Sequence, residues 1–256
     1  MQTPASLLDF QALEKLREEE LEEARAIQSV MLPGGPLEAG SITISHEFQP
    51  LAAVGGDFLD YFTLPDGHVG LYLGDVSGKG LPAALYAALA VGTLRGVHKT
   101  GTAAGEVLAM LNRRLVLRGI PRRYTTVQYA IFNPKSQEMH IASAGMAGPL
   151  HLSRNGCRIL HLSGIPPGLF PATSYESTTI RLAPGDSVFF CTDGLTDAAN
   201  ARGEQFGLER LVALCEKYRL APASQFLQSV FATLESFMRG CEQQDDMTAA
   251  LFHLAG

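Results

Sequence analysis

The feature of this sequence that most restricts its fold is a set of four short acidic motifs, each with an aspartate where an apolar stretch meets a turn. The motifs are GGDFLDYF at 55–62, GDVSGKG at 74–80, TDGLTD at 192–197 and QDDMT at 244–248. Carboxylates beside glycines, which allow close backbone approach, suit the oxygen-preferring ions Mg²⁺ and Mn²⁺. Packed carboxylates repel one another unless cations neutralise them. The sequence therefore predicts a divalent cation site in which one sheet edge gathers Asp57, Asp75, Asp193 and Asp245.

The rest of the chain has a pattern that favours α+β layers over a repeating βαβ array. Two β-compatible segments, 58–64 and 68–73, flank the turn sequence Pro65-Asp66-Gly67 and predict a hairpin. Other strands are predicted at 41–47, 125–132, 138–142, 149–152, 158–162, 186–191 and 247–254. Helices are predicted at 81–94, 103–117, 208–217 and 223–239.

The N-terminal segment, residues 9–31, is predicted to be an amphipathic helix. It is rich in glutamate, its apolar residues recur at steps of three to five, and it precedes the helix-breaking sequence Pro33-Gly34-Gly35-Pro36. A coiled coil that pairs with a second subunit, or leads to a sensor domain, is one interpretation. A helix packed on its own domain is the other.

Composition excludes several classes of protein. A net charge of -6 gives no basic face for nucleic acid, so no nucleic-acid partner is expected. No apolar run approaches the roughly 20 residues that span a bilayer, and the polar N-terminus lacks a signal-peptide core, so no membrane partner and a cytoplasmic location are expected. The four cysteines form no C-x-x-C pair, and the histidines have no zinc-ligand spacing.

A carboxylate site of this kind supports phosphoryl transfer without a protein nucleophile. Two divalent ions a few ångströms apart lower the pKa of a shared water and stabilise developing phosphoryl charge. The residue types therefore favour attack of an activated water on a phosphoryl group, with no phosphoenzyme.

The ordered set GGDFLDYF, GDVSGKGLPAA, TDGLTDA and DDMTAALF resembles the metal-dependent PPM (type 2C) serine/threonine protein phosphatases, in particular the bacterial SpoIIE/RsbU-like branch. The resemblance covers about residues 40–256, and the helix ending in IQSVMLP resembles the linker that precedes such domains. It implies a helical or coiled-coil linker at 1–36 and a phosphatase domain at 40–256. The implied fold is a β-sandwich of two mainly antiparallel sheets flanked by helices, with two Mn²⁺ or Mg²⁺ ions at one end.

The resemblance also implies roles for individual residues. Asp75 would bridge both ions, and the backbone carbonyl of Val76 would bind beside it. Asp57 would bind one ion, and Asp193 with Asp245 the other. Secondary candidates, either supporting the ligands or purely structural, are Asp60, Asp197 and Asp246, of which Asp246 is expected to cap the turn that follows it.

Capture of the substrate phosphate is less defined. Lys79 is either a point charge for the phosphate or a solvated lysine at a helix start. The eukaryotic members of the family use an arginine upstream of the first aspartate, and no arginine lies between residues 26 and 94 here. Phosphate binding is therefore expected to rest mainly on the metals.

Other interpretations are weaker. A diguanylate cyclase motif would need an acid at Phe58, and a P-loop would need a serine or threonine at Gly80. A PPM-like scaffold that binds a partner without turnover remains the alternative to an enzyme. By analogy with the family, the expected substrate is a phosphorylated STAS-type anti-anti-sigma protein in a partner-switching pathway.

Overall fold

The computed structural model describes residues 7–98, 101–117 and 119–256, and it consists of two antiparallel sheets flanked by helices. The strands are β1 (Leu37–Ala39), β2 (Ile42–Gln49), β3 (Phe58–Thr63), β4 (Val69–Val76), β5 (Thr125–Asn133), β6 (Glu138–Ala144), β7 (Leu150–Ser153), β8 (Gly156–Ile159), β9 (Ser177–Arg181), β10 (Ser187–Cys191) and β11 (Met247–Leu254). The helices are α1 (Leu7–Ser29), α2 (Leu81–Val97), α3 (Ala104–Leu117), α4 (Gly194–Asp197), α5 (Gly207–Tyr218) and α6 (Ala223–Phe237). The predicted α+β sandwich is confirmed.

The two sheets contain different numbers of strands, and each combines strands from distant parts of the chain. The six-stranded sheet has the order β1-β2-β11-β10-β7-β8, and the five-stranded sheet has the order β3-β4-β5-β6-β9. The predicted hairpin is confirmed, because β3 and β4 pair antiparallel with Phe58 opposite Gly74. Strand β11 pairs along its whole length with β2, from Met247 opposite Gln49 to Leu254 opposite Ile42. A strand far along the chain thus lies inside the six-stranded sheet.

Strand β4 illustrates how the sequence builds the layers. It is buried on both faces, since Leu71 and Leu73 point between the sheets while Tyr72 and Val76 point toward α2 and α3. Between the sheets, the ring centroids of Phe132 and Phe252 are 5.0 Å apart. The two sheets therefore share one apolar layer, and each has a second layer under its own helices.

The helices cover the outer faces of the sheets. Helix α2 buries Ala83, Ala87 and Ala90 against the five-stranded sheet, where small side chains allow close approach. Helix α6 packs on the six-stranded sheet through Phe226, whose ring centroid is 5.3 Å from that of Phe189. Pro82 lies in the first turn of α2, where its missing N–H costs no helical hydrogen bond.

Three elements were not predicted from the sequence. Strand β1 has three residues, too few for a periodic signal. Strand β9 is an edge strand in which only Ile180 is buried, so it shows no apolar alternation. Helix α4 is a single turn directly after Asp193. Each is held by its neighbours and not by a pattern of its own.

Helix α1 confirms the predicted N-terminal helix, although it ends at Ser29, before the proline and glycine cluster. Its apolar stripe is not packed on the domain: Leu13 is 65% exposed and Leu16 is 52% exposed. The helix therefore packs on its own domain at its C-terminal end, while its apolar stripe is exposed, and pairing with a second subunit stays a prediction. Gln28, at its C-terminal end, is the point at which α1 is buried.

Among the helices of the described residues, none is both long enough and apolar enough to cross a bilayer.

Candidate metal centre

The four aspartates of the acidic motifs lie at one edge of the sandwich, where strand ends of both sheets meet. Asp57 directly precedes β3 and Asp75 lies near the end of β4, in the five-stranded sheet. Asp193 follows β10, and Asp245 precedes β11, in the six-stranded sheet. The charges of Asp193 and Asp245 act on Asp75, and the charge of Asp75 acts on Asp57. The structure thus brings the four predicted side chains together.

Asp57 is the most deeply buried of the four, with 2% of its surface exposed. Its Oδ2 accepts hydrogen bonds from Thr192 Oγ1 at 2.8 Å and from Thr248 Oγ1 at 2.5 Å. Burial, followed by the charge of Asp75, raises the pKa of Asp57 well above its ordinary value, while the two hydroxyls oppose that shift. A charged Asp57 therefore depends on nearby positive charge.

Asp75 lies beside the backbone of Gly56. A Cβ at Gly56 would lie 3.2 Å from Asp75 Oδ1 and 3.0 Å from the carbonyl oxygen of Val76, so both oxygens lie on the same side of that backbone. Burial is the main reason that the pKa of Asp75 rises to about 7, and the charges of Asp193 and Asp245 add to it. The predicted carboxylate and carbonyl donors are therefore adjacent.

Asp193 and Asp245 form the solvent-facing rim of the cluster. Partial loss of water, then the charges of Asp197 and Asp245, raise the pKa of Asp193. Asp245 Oδ2 lies 3.2 Å from Lys79 Nζ, and the same ammonium donates a hydrogen bond to the carbonyl of Gln244. Lys79 is thus placed at the rim, on one of the predicted ligands.

Asp246 has a different role from its neighbour. Its carboxylate accepts hydrogen bonds from the backbone N–H of Leu51 at 2.7 Å and of Gly56 at 2.6 Å. A Cβ at Gly55 would collide with this carboxylate, which explains the glycine. Asp246 therefore ties down the loop that leads to Asp57. The expectation that it caps the turn following it is wrong, because its partners are on this distant loop.

The two other secondary candidates differ in their positions. Asp60 pairs with Arg95, whose Nε lies 2.7 Å from Asp60 Oδ2, and Tyr72 donates to the same oxygen at 3.2 Å. This pair joins β3 to α2 as a structural contact. Asp197 lies near Asp193, with its Oδ1 accepting from Gln205 Nε2 at 3.1 Å.

Sequence reasoning missed three polar residues at the site. Thr192 and Thr248 stand inside the TDGLTD and QDDMT motifs, so their position next to a predicted ligand was a usable signal. Gln28 is 6% exposed; its Nε2 donates to the Gly55 carbonyl at 2.8 Å, and its Oε1 accepts from the Gly55 N–H at 3.1 Å. Nothing local in a helix of glutamates marks this contact. It joins the end of α1 to the loop before Asp57.

The donor set fits a hard divalent cation. It consists of carboxylate oxygens and one backbone carbonyl, and within the described residues Lys79–Asp245 is the sole ion pair that the four aspartates make. The four aspartates share one edge, but within the described residues no three acidic, histidine or cysteine side chains are arranged closely enough to hold one ion as they stand. Burial, with the charges of neighbouring carboxylates added to it, raises the pKa values of Asp57, Asp75 and Asp193, so the site disfavours uncompensated negative charge.

Comparisons with known proteins agree with this geometry. A family model described as Stage II sporulation protein E (SpoIIE) matches residues 65–254. Protein IcfG of Synechocystis sp. is 25% identical over 258 residues, which cover 90% of this chain and 40% of IcfG. Phosphoserine phosphatase RsbU of Bacillus subtilis is 24% identical over 247 residues, which cover 94% of this chain and 72% of RsbU.

The fold is also found among solved structures. The SiaA PP2C domain of Pseudomonas aeruginosa has a TM-score of 0.84 at 22% identity, covering 94% of this chain and 98% of that domain. This likeness establishes the sandwich, and the family model establishes the relationship over most of the chain. The chain therefore belongs to the SpoIIE family, a branch of the PPM (type 2C) metal-dependent serine/threonine protein phosphatases, as its four motifs predicted.

Proposed function

We propose that this protein hydrolyses phosphoserine or phosphothreonine on a protein substrate, using a metal-activated water and forming no phosphoenzyme. One observation carries the proposal: four carboxylates meet at one edge of the sandwich with Lys79 as their single ion-pair partner among the described residues. A fold stabilises such a group of like charges only if cations join it. The names of RsbU and RsbP, both phosphoserine phosphatases, support the same reaction.

The proposed cofactors are two Mn²⁺ or Mg²⁺ ions. Asp75 would bridge them with the Val76 carbonyl beside it, Asp57 would hold one ion, and Asp193 with Asp245 the other. When bound, the ions lower the pKa of a water and neutralise charge on the transferring phosphoryl group. The spaced carboxylates would be drawn together on binding. Oxygen donors suit both ions, so the donor set does not choose between them.

The chain's own residues position the reactants. Asp57 and Asp75 would bind from the buried side of the edge, while Asp193 and Asp245 lie at its open rim, where a phosphorylated side chain enters. Lys79 Nζ lies at that rim, and we propose that it leaves Asp245 to contact the substrate phosphate. A lysine is suited to this as a mobile point charge.

The test is phosphate release from a phosphopeptide in a Mn²⁺ and Mg²⁺ series with a chelator control. We expect activity that requires metal and falls at least about 1,000-fold in Asp75→Asn, because the proposed bridging ligand is lost. Asp66→Asn, in the exposed β3–β4 turn, is the matched control and should retain activity. Equal activity of Asp75→Asn and wild type, or a trapped phosphoryl-enzyme, would refute the mechanism.

The alternative is a catalytically weak scaffold that binds its partner. It predicts metal binding by calorimetry without phosphate release from any phosphoprotein tested. The same assay therefore separates the two functions.

The proposed substrate is a phosphorylated STAS-type anti-anti-sigma regulator, and the proposed location of the reaction is the cytoplasm. Its support is the similarity to RsbU and RsbP and to a solved structure whose description concerns the bacterial stressosome. Incubation with a serine-phosphorylated STAS domain and with an unrelated phosphoprotein tests it. Preference for the STAS domain by about tenfold in kcat/KM is expected, and equal rates would contradict this substrate class.

We also propose that α1 forms a homodimer contact and couples it to the site. Its exposed residues Phe10, Leu13 and Leu16 offer an apolar stripe, and Gln28 contacts the loop before Asp57. Deleting residues 1–31 should reduce the mass measured by light scattering from dimer to monomer and change the Mn²⁺ dependence of activity. Unchanged mass and unchanged metal dependence would contradict the proposal.

A further inference from the structure

Two buried threonine hydroxyls converge on a single oxygen of Asp57. Thr192 is 1% exposed and Thr248 is 0% exposed, and both donate to Asp57 Oδ2, at 2.8 and 2.5 Å. These residues come from β11 and from the segment just after β10, in the sheet opposite Asp57. The contact therefore joins the two sheets at the proposed metal edge.

The direction of the hydrogen bonds is fixed by the backbone. The Thr248 N–H donates to Thr192 Oγ1 at 3.1 Å, and the Thr192 N–H donates to the Thr248 carbonyl at 2.9 Å. A hydroxyl has one proton to donate, and the nearer acceptor for Thr192 is Asp57, since the Thr248 carbonyl lies at 3.4 Å. Both hydroxyl protons thus point to Oδ2.

The consequence is that the two oxygens of Asp57 are unequal. Oδ2 receives two charge-assisted hydrogen bonds, which occupy its lone pairs. In the described part of the chain, no hydroxyl or N–H group donates to Oδ1, and the carboxyl group of Asp75 lies within hydrogen-bond reach of Asp57. A carboxylate held in this way cannot rotate without losing both bonds inside a dry site. Oδ1 is therefore the oxygen left for a cation.

We infer that Thr192 and Thr248 are positioning residues that fix the Asp57 carboxylate with Oδ1 free to bind a divalent cation. The inference rests on the proposed metal site. Partners that orient a ligating carboxylate are typically worth about 10- to 100-fold in metal affinity. Neither threonine touches the substrate in this role, because both act through Asp57.

The test removes the hydroxyl and the methyl group of each threonine in separate variants. Thr248→Val keeps the volume and removes the hydroxyl, whereas Thr248→Ser keeps the hydroxyl; Thr192→Val and Thr192→Ser form a second pair. Mn²⁺ binding to the full chain is measured by calorimetry, with chelator-treated stability measured by urea denaturation. We expect Kd to rise about 10- to 100-fold in each valine variant and by less than about threefold in each serine variant.

The control is Ser187→Ala, at the opposite end of β10. Ser187 is 5% exposed and its hydroxyl contacts His253 Nδ1 at 2.9 Å, so it also links β10 to β11 through a buried hydroxyl. Its Mn²⁺ affinity should equal that of wild type. If one valine variant does not fold, the other carries the test.

The outcomes separate this inference from the proposed function. Wild type that binds neither Mn²⁺ nor Mg²⁺ overturns the metal site and with it the inference. Wild type that binds Mn²⁺, with valine variants of equal Kd, overturns the inference alone. A serine variant as weak as its valine partner also overturns it, because the hydroxyl would then not be the cause.

Discussion

The two ends of strand β10 each carry a buried polar cluster, and the clusters are built differently. At the start of β10, Asp186 is 6% exposed and accepts from His151 Nε2 at 2.9 Å and from the Ala183 N–H at 3.0 Å. Arg158 Nε donates to His151 Nδ1 at 3.1 Å, which leaves the Nε2 proton for Asp186. At the other end, Asp193 faces further carboxylates.

The difference between the two polar clusters indicates a different role for each end of β10. Where the chain supplies donors and a cationic side chain, a buried carboxylate is a structural contact that joins β7 and β8 to the start of β10. Where burial and then neighbouring carboxylates raise the pKa values of aspartates, negative charge is left for a bound cation to balance.

The largest expected effect is at the balanced end. Asp186→Ala should lower the free energy of unfolding by about 3 kcal/mol, because His151 and the Ala183 N–H would lose their buried acceptor. Asp193→Ala in chelator should change it by less than about 1 kcal/mol. Urea denaturation of both variants checks the contrast, and similar values for the two would remove it.

The next effect is stabilisation by metal. At a Mn²⁺ concentration of 100 times Kd, the wild-type free energy of unfolding should rise by about 2.7 kcal/mol for each ion bound. Asp75→Asn should gain almost none of this, since it lacks the proposed bridging ligand. Thermal or urea unfolding with and without Mn²⁺ measures it, and an equal gain in the variant would place the ion elsewhere.

A smaller effect depends on pH. The folded pKa of Asp75, about 7, lies above its unfolded value, so the folded protein binds more protons and loses stability as pH rises toward and through 7. In chelator, the stability of Asp75→Asn minus that of wild type should be larger at pH 8 than at pH 6 by about 1 kcal/mol. Taking this difference removes the contribution of the histidines to the pH dependence of stability, because both proteins contain the same histidines. A constant difference would mean that Asp75 is charged throughout.

The smallest effect concerns Lys79. Its pair with Asp245 is largely exposed, so Lys79→Met should change the free energy of unfolding by less than about 0.5 kcal/mol. If Lys79 holds the substrate phosphate, KM rises several-fold while kcat changes little. An unchanged KM would leave it a solvated lysine.

Much of the fold was predictable because its signals are local. The β3–β4 hairpin follows from apolar segments around one turn, and α2 from a proline followed by alanines and leucines. Strand β9 was not predictable, because its extended conformation depends on pairing with β6 and not on an apolar pattern of its own. Local pattern identifies elements that bury their own apolar face, and it misses edge elements held by a neighbour.

The site divides in the same way. The order of the motifs placed four aspartates together, because each lies at a strand end. The role of Asp246 was not predictable from the motif, since its hydrogen-bond partner Leu51 lies 195 residues earlier. Gln28 was missed for the same reason, as its partner Gly55 lies beyond the end of its helix. Side chains that form hydrogen bonds with backbone groups far away in the sequence produce no periodic sequence pattern.

The central position of β11 has a consequence for the order of folding. On the ribosome, β2 emerges long before the strand that pairs with all of it, and the loop held by Asp246 emerges with β2. Neither can reach its final conformation until β11 has been synthesised, so contacts of such long sequence separation form late. A nascent chain that ends before β11 would leave the edge of β2 that pairs with β11 without a partner and exposed to chaperones and proteases. The edge that carries the four aspartates would thus be assembled only after β11 has been synthesised.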